Sequence, residues 1–188
     1  MKKWKSVALA ATLTAATAAG LAGAGVAANA QPATAQRASK PATPAHYGVA
    51  ANIRVVEAFL QDVLNEHNGD HAANYMTADM QFHAGTVGSF TGRATVAAVL
   101  GSVVAAIPDL HATVQDIFGS GDEVVVRLVV TGTQEGPLLG IPASGRHVEW
   151  DAIDLYRLDD GKLSAEWASE DLTAILNDTG TYKAPWIP

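Results

Sequence analysis

The sequence predicts an α+β fold, with helices on one face of a curved antiparallel sheet. Three observations carry this expectation. Amphipathic helical patterns come early, over residues 49–67 and 93–107. Strand patterns rich in Val and Leu come late, over residues 111–168. An Asp-Gly pair joins the last two of these strands as a hairpin.

The chain opens with Lys2, Lys3 and Lys5, then an apolar stretch diluted by Thr and Gly, then Ala28-Asn29-Ala30 before Gln31. This pattern predicts a secretory signal peptide over 1–30. The mature protein is expected outside the cell, without membrane attachment after cleavage. Cleavage removes three lysines and no acid, taking the formal charge from −7 to −10. An acidic chain without a basic patch is not expected to bind nucleic acid. With no Cys, disulfides and a cysteine lipid anchor are excluded. Residues 31–45 (QPATAQRASKPATPA) lack any apolar period and predict a disordered linker. Residues 46–188 are long enough for one packed domain.

Within that domain, Ile53, Val56, Leu60, Val63, Leu64 and His67 form one apolar stripe at three- and four-residue spacing. The spacing predicts a helix over 49–67, ended by Asn68-Gly69. Asp70 can cap a short second helix over 71–76. Residues 80–83 suggest a short strand, and 85–92, with three Gly, a loop. Val96, Val99, Leu100, Val103 and Ile107 mark the buried side of a helix stopped by Pro108. Strands follow over 111–118, 122–134, 147–158 and 163–168. The segment EGPLLGIPASGR between the second and third must be a loop. Leu60, Val96, Leu100, Val126, Leu128 and Trp167 are expected in the core. Arg127 lies mid-strand and is expected to pair with a carboxylate, Asp151 or Asp171.

The hairpin turn decides which side chains share a face. A two-residue turn places Asp159 opposite Lys162. A three-residue turn with Gly161 left-handed places Leu158 there. The second is favoured, because it aligns Ile153 with Trp167 and Leu155 with Ala165 as one apolar face. The other face then carries Trp150, Asp154, Tyr156, Ser164, Glu166 and Ala168, with Asp154 opposite Glu166. Two carboxylates on such a face suggest a ligand cavity; a solvated sheet face is the alternative.

Several short runs occur in a telling order: Tyr75-Met76-Thr77-Ala78-Asp79 with Phe82-His83, Phe90-Thr91-Gly92-Arg93 and Pro108-Asp109-Leu110. They continue with Gly132-Thr133, the run from Gly140 to Arg146, and Asp160-Gly161-Lys162-Leu163 with Trp167 and Asp171. In order and spacing the chain resembles the SnoaL-like polyketide cyclases (ester cyclases) of the nuclear transport factor 2-like superfamily, over about residues 49–176. The resemblance implies a cone-shaped α+β barrel whose sheet wraps a pocket, and dimerisation through the outer sheet face. It also implies an intramolecular aldol condensation on a polyketide ester, without metal or organic cofactor, driven by an acidic side chain. The family's acid/base Asp falls on Ala168 here, and its assisting His on Asp154. The frequent Glu-His-Trp-Asp run is Ala165-Glu166-Trp167-Ala168.

The candidate acid/base residues are therefore Asp154 and Glu166, since close carboxylates in an apolar pocket form an acid/base pair. His83, Trp150, Tyr156 and Trp167 are candidates for binding a small apolar or aromatic molecule. The scattered His residues form no metal-ligand motif, and neither a GxSxG elbow nor a phosphate loop occurs. Three functions stand open: a cyclase or isomerase that abstracts a proton next to a carbonyl, a non-catalytic binding module on the same fold, and a structural or interaction protein that dimerises through its sheet.

Overall fold

The structure is a computed structural model and describes residues 48–187. The expected signal peptide and linker lie outside these residues. Helix α1 (Val49–Phe59) continues directly into a π-helical turn over Leu60–Asn65. The expected stripe is buried at Val56, Leu60 and Val63, with Phe59 joining it, while His67 at its end is exposed. The wider π turn brings the Asn65 side chain against the backbone of Ala112: its Oδ1 accepts from Ala112 N at 2.7 Å, and its Nδ2 donates to Ala112 O at 3.2 Å.

Gly69 does not end this helix as expected. His67 takes the left-handed position (φ 60°), and its Nε2 lies 2.8 Å from Leu110 O. Gly69 serves close packing instead, since a Cβ there would meet the Gly101 Cα at 2.9 Å. The expected second helix is a 3-10 segment over Gly69–Tyr75, packed on α2 (Arg93–Ala106).

Six strands form one sheet. They are β1 (Met76–His83), β2 (Ser89–Thr91), β3 (His111–Ser120), β4 (Glu123–Thr133), β5 (His147–Asp159) and β6 (Lys162–Glu170). Their spatial order is β2-β1-β6-β5-β4-β3. The sheet is mixed rather than purely antiparallel, because β1 pairs parallel with β6. Most of the domain lies between these two strands in sequence, so no hairpin constrains their relative direction. Strand β2 falls inside the segment expected to be a loop. The helices cover one sheet face, and Val124, Val126, Leu128, Val148, Ala152 and Tyr156 meet them in the core.

The β5–β6 turn corrects the expected register. Asp160 (φ 47°) and Gly161 (φ 72°) are both left-handed, as a two-residue hairpin turn requires. Asp159 therefore faces Lys162. A bulge then absorbs Ser164, and Tyr156 pairs with Glu166 and Asp154 with Ala168. Asp154 and Glu166 still share a face, one pair out of direct opposition. The Ile153–Trp167 face points outward: Ile153 is 53% and Trp167 37% exposed, so Trp167 is not a core residue. Arg127 pairs with a carboxylate as expected, but with Asp116 at 2.7 Å across β3 and β4. Asp171 instead caps a helix the sequence did not reveal, α3 (Leu172–Asp178), accepting from Thr173 N and Ala174 N.

Candidate active site

Strand alternation builds the site. Along β5, Trp150, Ala152, Asp154, Tyr156 and Leu158 all point inward and are buried. Across the bulged pairing, Glu166 and Glu170 of β6 take the same side, beside Tyr156 and Ala152. Helix α2 closes the space through Val99, Leu100 and Val103, and α3 through Ile175. The cavity, open at one side, is about 110 Å³. Its wall is apolar except for Asp154, Glu166 and Glu170 and the polar tips of Trp150 and Tyr156.

The loop between β4 and β5 forms part of the rim. Buried Gln134 anchors it, donating through Nε2 to the carbonyls of Gly136, Ile141 and Pro142 and accepting from the Ser144 hydroxyl at 2.6 Å. The anchored loop places Leu138 in the wall and leaves Leu139, 49% exposed, at the rim.

The carboxyl groups are unusual in their surroundings. Asp154 is 3% and Glu166 4% exposed. Among the described residues, Asp154 Oδ1 and Glu166 Oε2 have no hydrogen-bond partner, and the Tyr156 hydroxyl reaches Asp154 Oδ2 only at 3.5 Å. An ionised carboxylate so placed is disfavoured. Burial pushes the Asp154 carboxyl well above its ordinary range, and the Glu170 charge adds to this against weaker hydrogen bonds from Ser169 and Tyr156. Glu166 is raised in the same way, by burial and then by Asp154 and Glu170. Burial also raises Glu170, opposed by a hydrogen bond that its carboxylate accepts from the Trp150 indole N–H. The Tyr156 phenol is driven up by burial and by the surrounding acids, so it stays a neutral donor.

The structure thus gathers Asp154, Glu166, Trp150 and Tyr156 around one cavity and leaves His83 and Trp167 outside it. The latter two stack on each other on the opposite sheet face, with ring centroids 5.4 Å apart. Arg157 covers the Trp167 ring at 5.0 Å, and the Ser89 hydroxyl lies 3.2 Å from His83 Nδ1. Glu170 was missed by the sequence reading. The alternation that selected Glu166 and Ala168 reaches it two residues later, beyond the expected end of the strand. Among the described residues, no group of three or more His, Cys, Asp or Glu is disposed to hold a metal ion.

A family model described as SnoaL-like polyketide cyclase matches residues 54–179. The chain belongs to the SnoaL-like polyketide cyclase family. Solved structures agree with the fold. TsrD from Streptomyces laurentii is 28% identical, with a TM-score of 0.63 over 71% of this chain and 97% of that one. A Jannaschia sp. CCS1 protein, itself provisionally assigned as a SnoaL-like polyketide cyclase, is 26% identical with a TM-score of 0.63, over 71% of this chain and 94% of its own. A SnoaL-like polyketide cyclase from Agrobacterium tumefaciens, at 22% identity and a TM-score of 0.56, shares the fold over 65% of this chain and 93% of that one. No curated protein matches the chain.

Proposed function

We propose that this SnoaL-like protein is an exported, cofactor-independent cyclase or isomerase that moves a proton next to the carbonyl of a polyketide-like ester. The observation that carries this reading is the pair of buried carboxyl groups, each with an oxygen left unpartnered beside an apolar cavity. Burial favours the protonated form of such groups, which can then donate to a developing enolate oxygen. The family's Asp position is Ala168, and Asp154 is its cross-strand neighbour. A carboxyl group is therefore kept at the same level of the sheet, moved from β6 to β5.

The cavity size supports a small reacting end. An apolar cavity of about 150 Å³ holds benzene, so about 110 Å³ suits part of a ring or a short ester arm. The rest of a larger substrate would lie at the rim, against Leu139.

Turnover of aromatic polyketide esters tests this directly. The wild type should convert a member of such a panel, and Asp154→Asn or Glu166→Gln should lower the rate by about 10²–10⁴. Saturable binding of these esters without conversion would make the protein a non-catalytic binding module, the reading that Ala168 favours. Export is read from the first 30 residues, and mass spectrometry of secreted material should find a mature start at or near Gln31.

A further inference from the structure

Three carboxyl groups face one cavity, and their surroundings are not equivalent. Asp154 and Glu166 are nearly inaccessible, and each has an oxygen without a partner. Glu170 lies near the end of β6, is only partly buried, and accepts a hydrogen bond from the Trp150 indole. That N–H can only donate, and it favours the charged form of the oxygen it meets. Among the described residues, no Lys, Arg or His lines the cavity. The titratable groups facing one another are Asp154 and Tyr156 from β5 and Glu166 and Glu170 from β6.

We propose that Glu170 is the ionised base of this cavity, and that Asp154 and Glu166 retain their protons and act as donors. The inference rests on the proton-transfer reading above. One negative charge in the group discourages a second, because neighbouring carboxylates repel in an apolar space. The first charge settles where a donor and partial solvent access stabilise it, which is Glu170. Its carboxylate takes the α-proton of the bound carbonyl compound and becomes a carboxylic acid. The C–H electron pair becomes the enolate double bond, and the carbonyl π electrons move to oxygen. Glu166 or Asp154 donates a hydrogen bond to that oxygen. For isomerisation, Glu170 returns its proton to another carbon. For cyclisation, the enolate carbon forms the new bond to a second carbonyl, and Glu170 protonates the resulting alkoxide.

The test has one arm without substrate and one with it. Carboxyl-¹³C-labelled protein is titrated by NMR, with signals assigned through Glu170→Gln, Glu166→Gln and Asp154→Asn. Glu170 should ionise first, and Trp150→Phe, which keeps an aromatic ring but removes the N–H, should move its titration upward. Asp154 or Glu166 ionising before Glu170 would overturn the assignment, as would a Glu170 titration indifferent to Trp150→Phe. With a carbonyl substrate, Glu170→Gln should lower kcat by about 10²-fold or more, leave KM largely unchanged and abolish the acidic limb of the pH profile. A retained acidic limb would exclude Glu170 as the base. If no ester is turned over, the proton-transfer reading and the base role fall together, while the ionisation order is still decided by the first arm.

Discussion

An ordinary carboxyl group ionises near pH 4, and burying it with an oxygen left unpartnered favours its protonated form in the folded state. Asp154 and Glu166 are raised in this way. Their contribution to stability is full below about pH 4 and is lost as the pH rises toward their folded values. Asp62 and Asp109 work in the opposite direction. Hydrogen bonds from Asn68, His71 and Tyr75 lower Asp62, and those from the Thr133 backbone and hydroxyl lower Asp109. Their contribution is present at neutral pH and lost as the pH falls below the ordinary carboxylate range. Denaturant melts of the wild type and Glu166→Gln should therefore converge at acid pH and separate above about pH 4, with the variant losing less stability as the pH rises. Parallel curves would mean that Glu166 is ionised in the native state. Period-two alternation made Asp154, Glu166, Trp150 and Tyr156 legible as one face. It could not say which face is inside, because Ile153 and Trp167 made the wrong face look like the core. The His83 and Arg157 contacts that let Trp167 sit outside come from chain segments distant in sequence or across the hairpin, so no local pattern shows them.

Elements were legible where local chemistry decides them. The stripe from Ile53 to Leu64 and the Pro108 stop mark helices that the structure contains. Less legible were features set by distant partners. The π turn ends at Asn65, whose side chain bonds Ala112, 47 residues away. The parallel β1–β6 pairing joins residues 84 to 87 positions apart. The rim loop illustrates strain held by its surroundings. Leu138 and Ile141 exchange backbone hydrogen bonds at 3.0 and 2.8 Å around Leu139 and Gly140. This turn forces Leu139 to φ 51°, a conformation that costs a side-chain-bearing residue about 1–2 kcal/mol. Leu139→Gly relieves it, at some cost in chain entropy. Equilibrium unfolding should show the variant unchanged or up to about 1 kcal/mol more stable. A loss above about 1 kcal/mol would show that the Leu139 side chain packs more firmly than its exposure suggests.

At the scale of the whole molecule, the outer sheet face carries an apolar row. Phe118 pairs with Val125, Val125 with Leu155, Leu155 with Trp167, and Trp167 with His83. Phe118, at 61%, is the most exposed of these hydrophobic side chains. The Arg127–Asp116 and Arg157–Glu123 ion pairs flank the row on either side. We propose that this exposed row seats a two-fold homodimer, in which the same patch of each subunit meets the other. Sedimentation of the mature protein should show a dimer, and Phe118→Asp should shift it toward monomer. A wild type that stays monomeric at high micromolar concentration would remove the proposed role of this face.

The central claim is that the buried carboxyl cluster moves a proton next to a carbonyl. Its most direct measurement is α-hydrogen exchange in D₂O, followed by proton NMR on an aryl keto ester shown to bind. Exchange well above the buffer rate is expected with the wild type, with a return toward the buffer rate when Asp154, Glu166 and Glu170 are all changed to their amides. Exchange at the buffer rate with the cavity saturated would contradict it.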